Sequence, residues 1–358
     1  MSMKEKILLG MLAFIPLTIA ADWLKFNPLL TFVLSGLAII PLAAWIANST
    51  EEIAMVIGPT LGGLMNATFG NATEMIVAIV ALRSGLVEVV KASLTGSIIA
   101  NLLLAMGLAI TLGGFRFKEQ TFQPAVARIN SSSLTLAIIV LLTPTAIQLT
   151  SPKMDQARID HFSYAAAILL LAFYGLMLLF SMKTHRHLYL LEESEADVMG
   201  EDEGHGVNLK LQIGILLIST LVLVFVSEIL VDSLEKAIAS VGLTDLFTGV
   251  ILIPIFGGFV EYITCITFAV KNKMEVAVAV AIGSSLQIAL FVAPVLVLAG
   301  WVLGQPMNLD FNPFELVAVA MAIVITNSIS NDGRSNWLEG VLLLITYAVL
   351  GVAFFLHP

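Results

Sequence analysis

Eleven long apolar stretches constrain this sequence more than any other feature. A bilayer core of ~30 Å needs about 20 apolar residues in a helix. Unpaired backbone groups cannot face lipid, and no stretch shows the alternation of a β-barrel, so each is predicted to be helical. The expected fold class is an all-α polytopic membrane protein with about 11 transmembrane helices. The predicted spans are approximately 7–24, 28–47, 52–83, 87–113, 128–149, 160–183, 208–231, 243–270, 274–303, 313–331 and 337–356.

The composition supports this class and excludes others. Hydrophobic residues make up 58% of the 358 and charged residues 12%, against roughly half and a quarter in soluble domains. The single cysteine, Cys265, excludes an intramolecular disulfide and Cys-based zinc sites. We find no nucleophile with a base and no histidine cluster, so neither an enzyme nor a cofactor is expected. The lipid bilayer is an expected partner, nucleic acid is not, and homo-oligomerisation stays open.

Basic residues predict the orientation. Lys4 and Lys6 precede the first span, which we expect to be retained as a membrane helix rather than cleaved as a secretory signal. A cytoplasmic N-terminus puts eleven of the 17 Lys and Arg residues in inner loops, as the positive-inside rule favours. The C-terminus is then outside. Short loops favour a bacterial plasma (inner) membrane.

The sequence repeats itself at an offset of 187 residues, the separation of Glu74 from Glu261. The two repeats each hold five spans, an odd number, so they are predicted to have opposite orientations, as in many secondary transporters. The offset carries Phe69-Gly70-Asn71-Ala72-Thr73-Glu74 onto Phe256-Gly257-Gly258-Phe259-Val260-Glu261, Glu88 onto Glu275, Gly96 onto Gly283 and Ser97 onto Ser284.

The repeats define the expected domain organisation. Residues 1–27 are an N-terminal transmembrane helix, 28–183 the first five-helix repeat and 208–358 the second. Residues 184–207 form an acidic cytoplasmic linker, with all seven of its acids between Glu192 and Glu203. This segment is either a solvated connection or a cation-sensing helix.

Glu74 and Glu261 are the central candidate residues. A charged side chain at the bilayer centre costs ~2.5–3.5 kcal/mol even on insertion scales, so such residues normally face a polar interior. Gly62-Gly63 and Gly70-Asn71 precede the first acid, and Pro254 with Gly257-Gly258 precedes the second. These residues predict helices that are kinked or broken just before each acid, which frees carbonyl oxygens for an ion.

Two carboxylates with neutral oxygens suit Ca2+ as a transported substrate. When the cation leaves, the carboxylates repel and protons replace it, so Glu74 and Glu261 are also the predicted proton-coupling residues. Ca2+ and H+ are thus the expected substrates. Polar residues in apolar helices also serve as packing contacts, and for the hydroxyl and amide candidates this alternative stays open. The other candidate ligands are Gly70, Asn71, Gly257, Ser97, Asn101, Ser284 and Gln287.

These motifs resemble the calcium/proton exchanger family, the CAX-type cation/proton exchangers of the sodium/calcium exchanger superfamily. The resemblance spans nearly the whole chain. It is carried by the run from Gly62 to Glu74, by Ser93-Leu94-Thr95-Gly96-Ser97, by Gly283-Ser284-Ser285-Leu286-Gln287 and by Ser330-Asn331-Asp332-Gly333.

The resemblance implies one extra N-terminal helix plus two inverted five-helix repeats, and export of Ca2+ against an inward proton flow. It also implies that the first helix of each repeat, about 28–47 and 208–231, shifts to alternate access. The chain departs from the family at the second signature. It reads Gly257-Gly258-Phe259-Val260-Glu261-Tyr262 where the family usually has Gly-Asn-Ala-Ala-Glu-His.

Two other functions remain open at this point. One is an exchanger selective for another cation, Mn2+ or Na+. The other is a cation channel, in which the same acids would form a selectivity ring.

Overall fold

The protein is helical almost throughout the residues that its computed structural model describes, 3–151, 155–189 and 207–357. Short π-helical stretches at Ala100–Ala105 and Ile288–Val292 each continue directly into the α-helices on either side. The helices are α1 (Met3–Met11), α2 (Phe14–Trp23), α3 (Pro28–Ile57), α4 (Pro59–Phe69), α5 (Ala72–Arg83), α6 (Val87–Ile99), α7 (Met106–Phe117), α8 (Pro124–Thr150), α9 (Gln156–Leu179), α10 (Leu209–Val241), α11 (Asp245–Phe247), α12 (Ile253–Gly257), α13 (Phe259–Ala269), α14 (Met274–Gln287), α15 (Ala293–Leu303), α16 (Pro313–Ser330) and α17 (Trp337–Leu356).

The helices confirm the expected class of all-α polytopic membrane protein. Within the described ranges, 9 helical segments are long and apolar enough to cross a membrane, and the number is 11 if each of two bent pairs counts as one span. In chain order they are one N-terminal span followed by two sets of five. In both sets the bent pair is the second member.

The two bent pairs lie where the candidate acids are. Helices α4 and α5 meet at 44°, with the break at Gly70 and Asn71. Helices α12 and α13 meet at 58°, with the break at Gly258. Both breaks immediately precede the helix that carries a glutamate, as predicted. The expected contribution of Gly62-Gly63 was wrong, because both glycines lie inside α4.

The end of the second span was also predicted wrongly. The polar run after residue 47 suggested that a span ends there, but α3 continues through Glu51 and Glu52 to Ile57. The helix stops at Gly58, whose φ of +89° lies in the region that glycine adopts without strain.

Asparagine caps define several helix starts. Asn27 and Asn312 each accept a hydrogen bond of 2.9 Å from a backbone N–H of the first turn, and a proline follows each. Asn336 and Glu339 form a reciprocal capping box at the start of α17. These local signals fix helix starts independently of hydropathy.

A short antiparallel ribbon is the one departure from an all-helical prediction in the described ranges. Strand β1 (Glu119–Thr121) pairs with β2 (Arg334–Asn336), with Gln120 opposite Ser335. Both strands lie in connections outside the candidate spans, so their unpaired edges need not face lipid.

The described chain forms two compact units. The first comprises Met1–Ser93 with His205–Val260, and the second comprises Leu94–Gly204 with Glu261–His357. Each unit therefore contains helices from both predicted repeats. Glu192 to Glu203, the acidic part of the predicted linker, lies outside the described residues.

In the first unit, α3 packs along α10. Ser49 on α3 donates a hydrogen bond of 3.1 Å to Oε1 of Gln212 on α10. Phe256 of α12 packs edge-on against Phe32, with ring centroids 5.9 Å apart. A Cβ at Gly36 would lie 2.7 Å from the Phe256 ring, so only glycine permits this approach to α3.

In the second unit, α7 packs against α17 through glycines. A Cβ at Gly340 would meet the backbone nitrogen of Thr111, and a Cβ at Gly114 would meet the backbone nitrogen of Trp337. Small residues of this kind let membrane helices approach closely, which compensates for the weak hydrophobic drive between helices in lipid.

Candidate functional site

Glu74 lies in the first turn of α5, directly after the break at Gly70 and Asn71. A carboxylate at this position benefits from the positive end of the helix dipole. Asn71 occupies the N-cap position and is 2% exposed, yet its side chain makes no N-cap hydrogen bond. The Asn71 amide is therefore not committed to capping α5.

Gly257, the last residue of α12, lies against the Glu74 side chain within the first unit. A Cβ at Gly257 would be 3.5 Å from Glu74 Cγ and 3.9 Å from Oε1. The first unit thus brings Gly257 next to Glu74, and places Gly70 and Asn71 at the break before this acid.

Glu261 occupies the equivalent place in the second repeat, in the first turn of α13 after the break at Gly258. Its Oε2 atom is buried and has no hydrogen-bond partner among the described residues. A buried carboxylate oxygen without a donor is costly unless a proton or a cation satisfies it. Tyr262, at the position of the family's usual histidine, is 5% exposed.

The second unit brings two neutral candidates into contact. The Asn101 Nδ2 donates a hydrogen bond of 3.1 Å to the Ser284 Oγ. The Asn101 Oδ1 is buried and has no hydrogen-bond partner in the described part of the chain, so one amide oxygen is available to a cation. Asn101 and Ser284 are 1% and 8% exposed.

Ser97 and Gln287 complete the candidate set of the second unit. Ser97 is buried on α6, one turn before Asn101, and Gln287 is half-buried at the last residue of α14. Asn101 lies inside the π-helical stretch Ala100–Ala105, and Gln287 directly precedes the stretch Ile288–Val292. Single π-helical turns inside α-helices occur often at functional sites.

The site chemistry is that of mixed oxygen donors. Among the described residues, no three His, Cys, Asp or Glu side chains cluster as metal ligands. A cation bound by either acid therefore depends on amide, hydroxyl or backbone carbonyl oxygens as well. This ligand type suits hard cations such as Ca2+ better than transition metals.

A buried acid bound to Thr95 was missed by the sequence analysis. Thr95 Oγ1 donates a hydrogen bond of 2.6 Å to Oε2 of Glu315, in the first turn of α16, and both residues are 3% exposed. The available signals were Thr95, inside the motif before Ser97, and an acid two residues after Pro313. Neither signal indicates that these two residues form a hydrogen bond with each other.

The family follows from comparison with known proteins. The family model described as sodium/calcium exchanger protein matches residues 27–183 and 211–356. The chain belongs to the sodium/calcium exchanger family. This membership confirms the resemblance seen in the signature around Glu74.

Individual members of the exchanger family match along the whole chain. A protein of Aphanothece halophytica named Ca(2+)/H(+) antiporter is 56% identical over 99% of this chain and 98% of its own. A protein of the same name from Synechocystis is 55% identical over 100% of this chain and 99% of its own. The solved structure of native YfkE superposes with a TM-score of 0.84 at 35% identity, over 98% of this chain and 100% of that chain.

Proposed function

We propose that this exchanger-family chain is a secondary active antiporter that exchanges Ca2+ for H+ across a membrane by alternating access. The observation that carries the proposal is the register of two acids. Glu74 and Glu261 each lie in the first turn of a helix after a break, at matching positions of the two predicted repeats. The Ca(2+)/H(+) antiporters of Aphanothece and Synechocystis, similar over nearly their full lengths, support the choice of Ca2+ and H+.

In this mechanism Glu74 and Glu261 bind either the cation or protons. Two carboxylates balance the two charges of Ca2+, and protonation balances them when Ca2+ has left. Gly70, Asn71 and Gly257 act beside Glu74. Ser97, Asn101, Ser284 and Gln287 supply neutral oxygens on the helices that follow the acids.

The repeat boundaries and orientation belong to the same proposal. Residues 1–27 form the N-terminal helix, and 28–183 and 208–358 form two repeats of opposite orientation joined by the acidic linker 184–207. The first helices of the repeats, α3 and α10, pack against each other in the first unit. Movement of this pair gives the ion access to alternate sides of a bacterial plasma membrane, with the N-terminus cytoplasmic and the C-terminus outside.

Reconstitution into vesicles tests the proposal. Under an imposed pH gradient, wild-type protein is expected to take up Ca2+, and Glu74→Gln and Glu261→Gln are each expected to abolish uptake. Parallel assays with Mn2+, Mg2+ and Na+ determine the cation class. Undiminished exchange in either variant contradicts the mechanism. Flux without a pH gradient at more than about 10^5 ions per second would instead indicate a channel.

A further inference from the structure

A small cavity in the second unit lies between α8 and α14, near the first turns of both helices. Its polar lining residues are Gln123, Asn130 and Glu275, and Val278 and Ile282 supply apolar walls. Its volume is about 10 Å3, close to the minimum of about 10–15 Å3 that one water molecule needs. The cavity can therefore hold one water molecule or one metal ion, but no organic ligand.

Asn130, which lines this cavity, carries a side-chain oxygen that is unsatisfied in the described part of the chain. The residue is 7% exposed, and its Oδ1 is buried with no hydrogen-bond partner among the described residues. A buried amide oxygen left without a hydrogen bond is costly to stability. Glu275, in the first turn of α14, brings a carboxylate to the same cavity. A carboxylate with two amide side chains is an oxygen ligand set that suits a hard divalent cation.

At the equivalent place in the first repeat, the ammonium group of a lysine lies beside the matched glutamate. Glu88, which the 187-residue offset aligns with Glu275, lies 3.1 Å from the ammonium of Lys91. The Lys91 side chain is only 7% exposed. The same offset aligns Lys91 with Val278, which lines the cavity. The second repeat thus has a cavity wall where the first has a buried ammonium group.

The cavity is separate from Ser284, the proposed transport-site residue on the same helix. Ser284 follows Glu275 by nine residues on α14, which places it about 13 Å along the helix axis and on the opposite face. Glu275, Val278 and Ile282 share the face toward α8. A ligand in the cavity therefore does not contact Ser284.

We propose that Glu275, Asn130 and Gln123 form a second cation-binding site, which takes one partly dehydrated divalent cation such as Ca2+. The bound cation bridges α8 to the helix that carries Ser284. The choice of Ca2+ rests on the proposed function, whereas the existence of the site does not. One carboxylate predicts weak binding, in the range of about 10^-4–10^-3 M.

Thermal unfolding of the purified full-length protein tests this site. Glu74→Gln and Glu261→Gln together serve as the background, because they remove the proposed transport site. In this background Tm is expected to rise with Ca2+ up to about 10 mM, well above the expected dissociation constant, relative to choline chloride of equal ionic strength. Adding Glu275→Gln is expected to abolish the rise. Adding Glu88→Gln, the matched acid of the first repeat, is expected to leave it unchanged.

Asn130→Asp provides a test that misfolding cannot imitate. A second carboxylate should lower the Ca2+ concentration at the midpoint of the Tm shift several-fold. Two results would overturn the site: no Ca2+-dependent shift in the background protein, or a full shift that survives Glu275→Gln with no change in Asn130→Asp. The cavity then holds a water molecule. Transport by the background protein would refute the proposed function instead, without bearing on these Tm shifts.

Discussion

The Asn101 amide donates a 3.1 Å hydrogen bond to the Ser284 hydroxyl, which joins polar residues of the two predicted repeats inside one compact unit. The bond orients the amide so that its nitrogen faces Ser284. The Asn101 oxygen, which has no hydrogen-bond partner among the described residues, is the end that can contact a cation.

Ser284→Ala is expected to weaken Ca2+ transport without abolishing it. Loss of one hydrogen bond of about 0.5–1.5 kcal/mol lets the Asn101 amide rotate. The KM for Ca2+ should rise about two- to tenfold, with the maximal rate less affected. Initial rates of Ca2+ uptake into vesicles measure both quantities.

Ser285→Ala is the matched control for this variant. Ser285 is also buried, but its hydroxyl donates to the backbone oxygen of Ala281 in its own helix. An unchanged KM is expected. Equal increases in KM for both variants would mean that Ser284 matters only for helix packing.

Gly257→Val is expected to impair transport by displacing Glu74. A Cβ at Gly257 would already be in van der Waals contact with Glu74 Cγ, at 3.5 Å. The two further methyl groups of valine must push the carboxylate away. We expect at least a tenfold loss of kcat/KM, which corresponds to about 1.4 kcal/mol of lost stabilisation.

Gly257→Ala tests whether the loss depends on the size of the side chain at 257, and Gly175→Ala is the control at a glycine elsewhere. The alanine Cβ at 257 fits at contact distance, so a smaller loss than with valine is expected. Gly175 has no heavy atom within 4 Å of its Cβ position, and Gly175→Ala should leave transport unchanged. Normal transport by Gly257→Val would show that the Glu74 side chain does not need its present position.

Ca2+ binding is expected to weaken as pH falls. Protonation removes the negative charges of Glu74 and Glu261, and the cation and protons then compete for the same oxygens. If two protons compete with Ca2+ in the wild type, its dissociation constant for Ca2+ should rise by up to about 100-fold for each unit by which the pH falls. In Glu261→Gln only one carboxyl can take up a proton, so the rise should be at most about tenfold per pH unit. Equilibrium binding of radioactive Ca2+ over a pH series measures both slopes. A dissociation constant independent of pH would rule out proton competition.

Hydropathy predicted the number and order of spans because span length is a local property of the sequence. Glycine was harder to interpret, since it can break a helix or allow close packing. Gly70 and Gly258 lie at breaks, whereas Gly62 lies inside α4, where a Cβ would meet the backbone oxygen of Ala54 on α3. Only the packing partner, which lies on the preceding helix, distinguishes these roles.

Partners of the site residues were less predictable than the acids themselves. Asn101 and Gln287 are the amide candidates of the helices that follow the two acids, yet the offset of 187 aligns Asn101 with Ile288. The observed partner of Asn101 is Ser284, 183 residues away. Side-chain contacts between distant helices depend on their rotation and depth, which a one-dimensional repeat does not encode.

Thr95 and Glu315 link α6 to α16 through a 2.6 Å hydrogen bond between two buried side chains. Thr95→Val keeps the shape of the side chain but removes the donor, so the Glu315 carboxyl loses this hydrogen bond while remaining buried. Such a loss costs about 1–3 kcal/mol, and the unfolding midpoint in detergent should fall. Thr346→Val is the control, because Thr346 is half-buried and its hydroxyl donates only to the backbone of its own helix. Since α6 also carries Ser97, Thr95→Val should lower transport along with stability. Unchanged stability and transport would mean that this bond does not hold α6 in place.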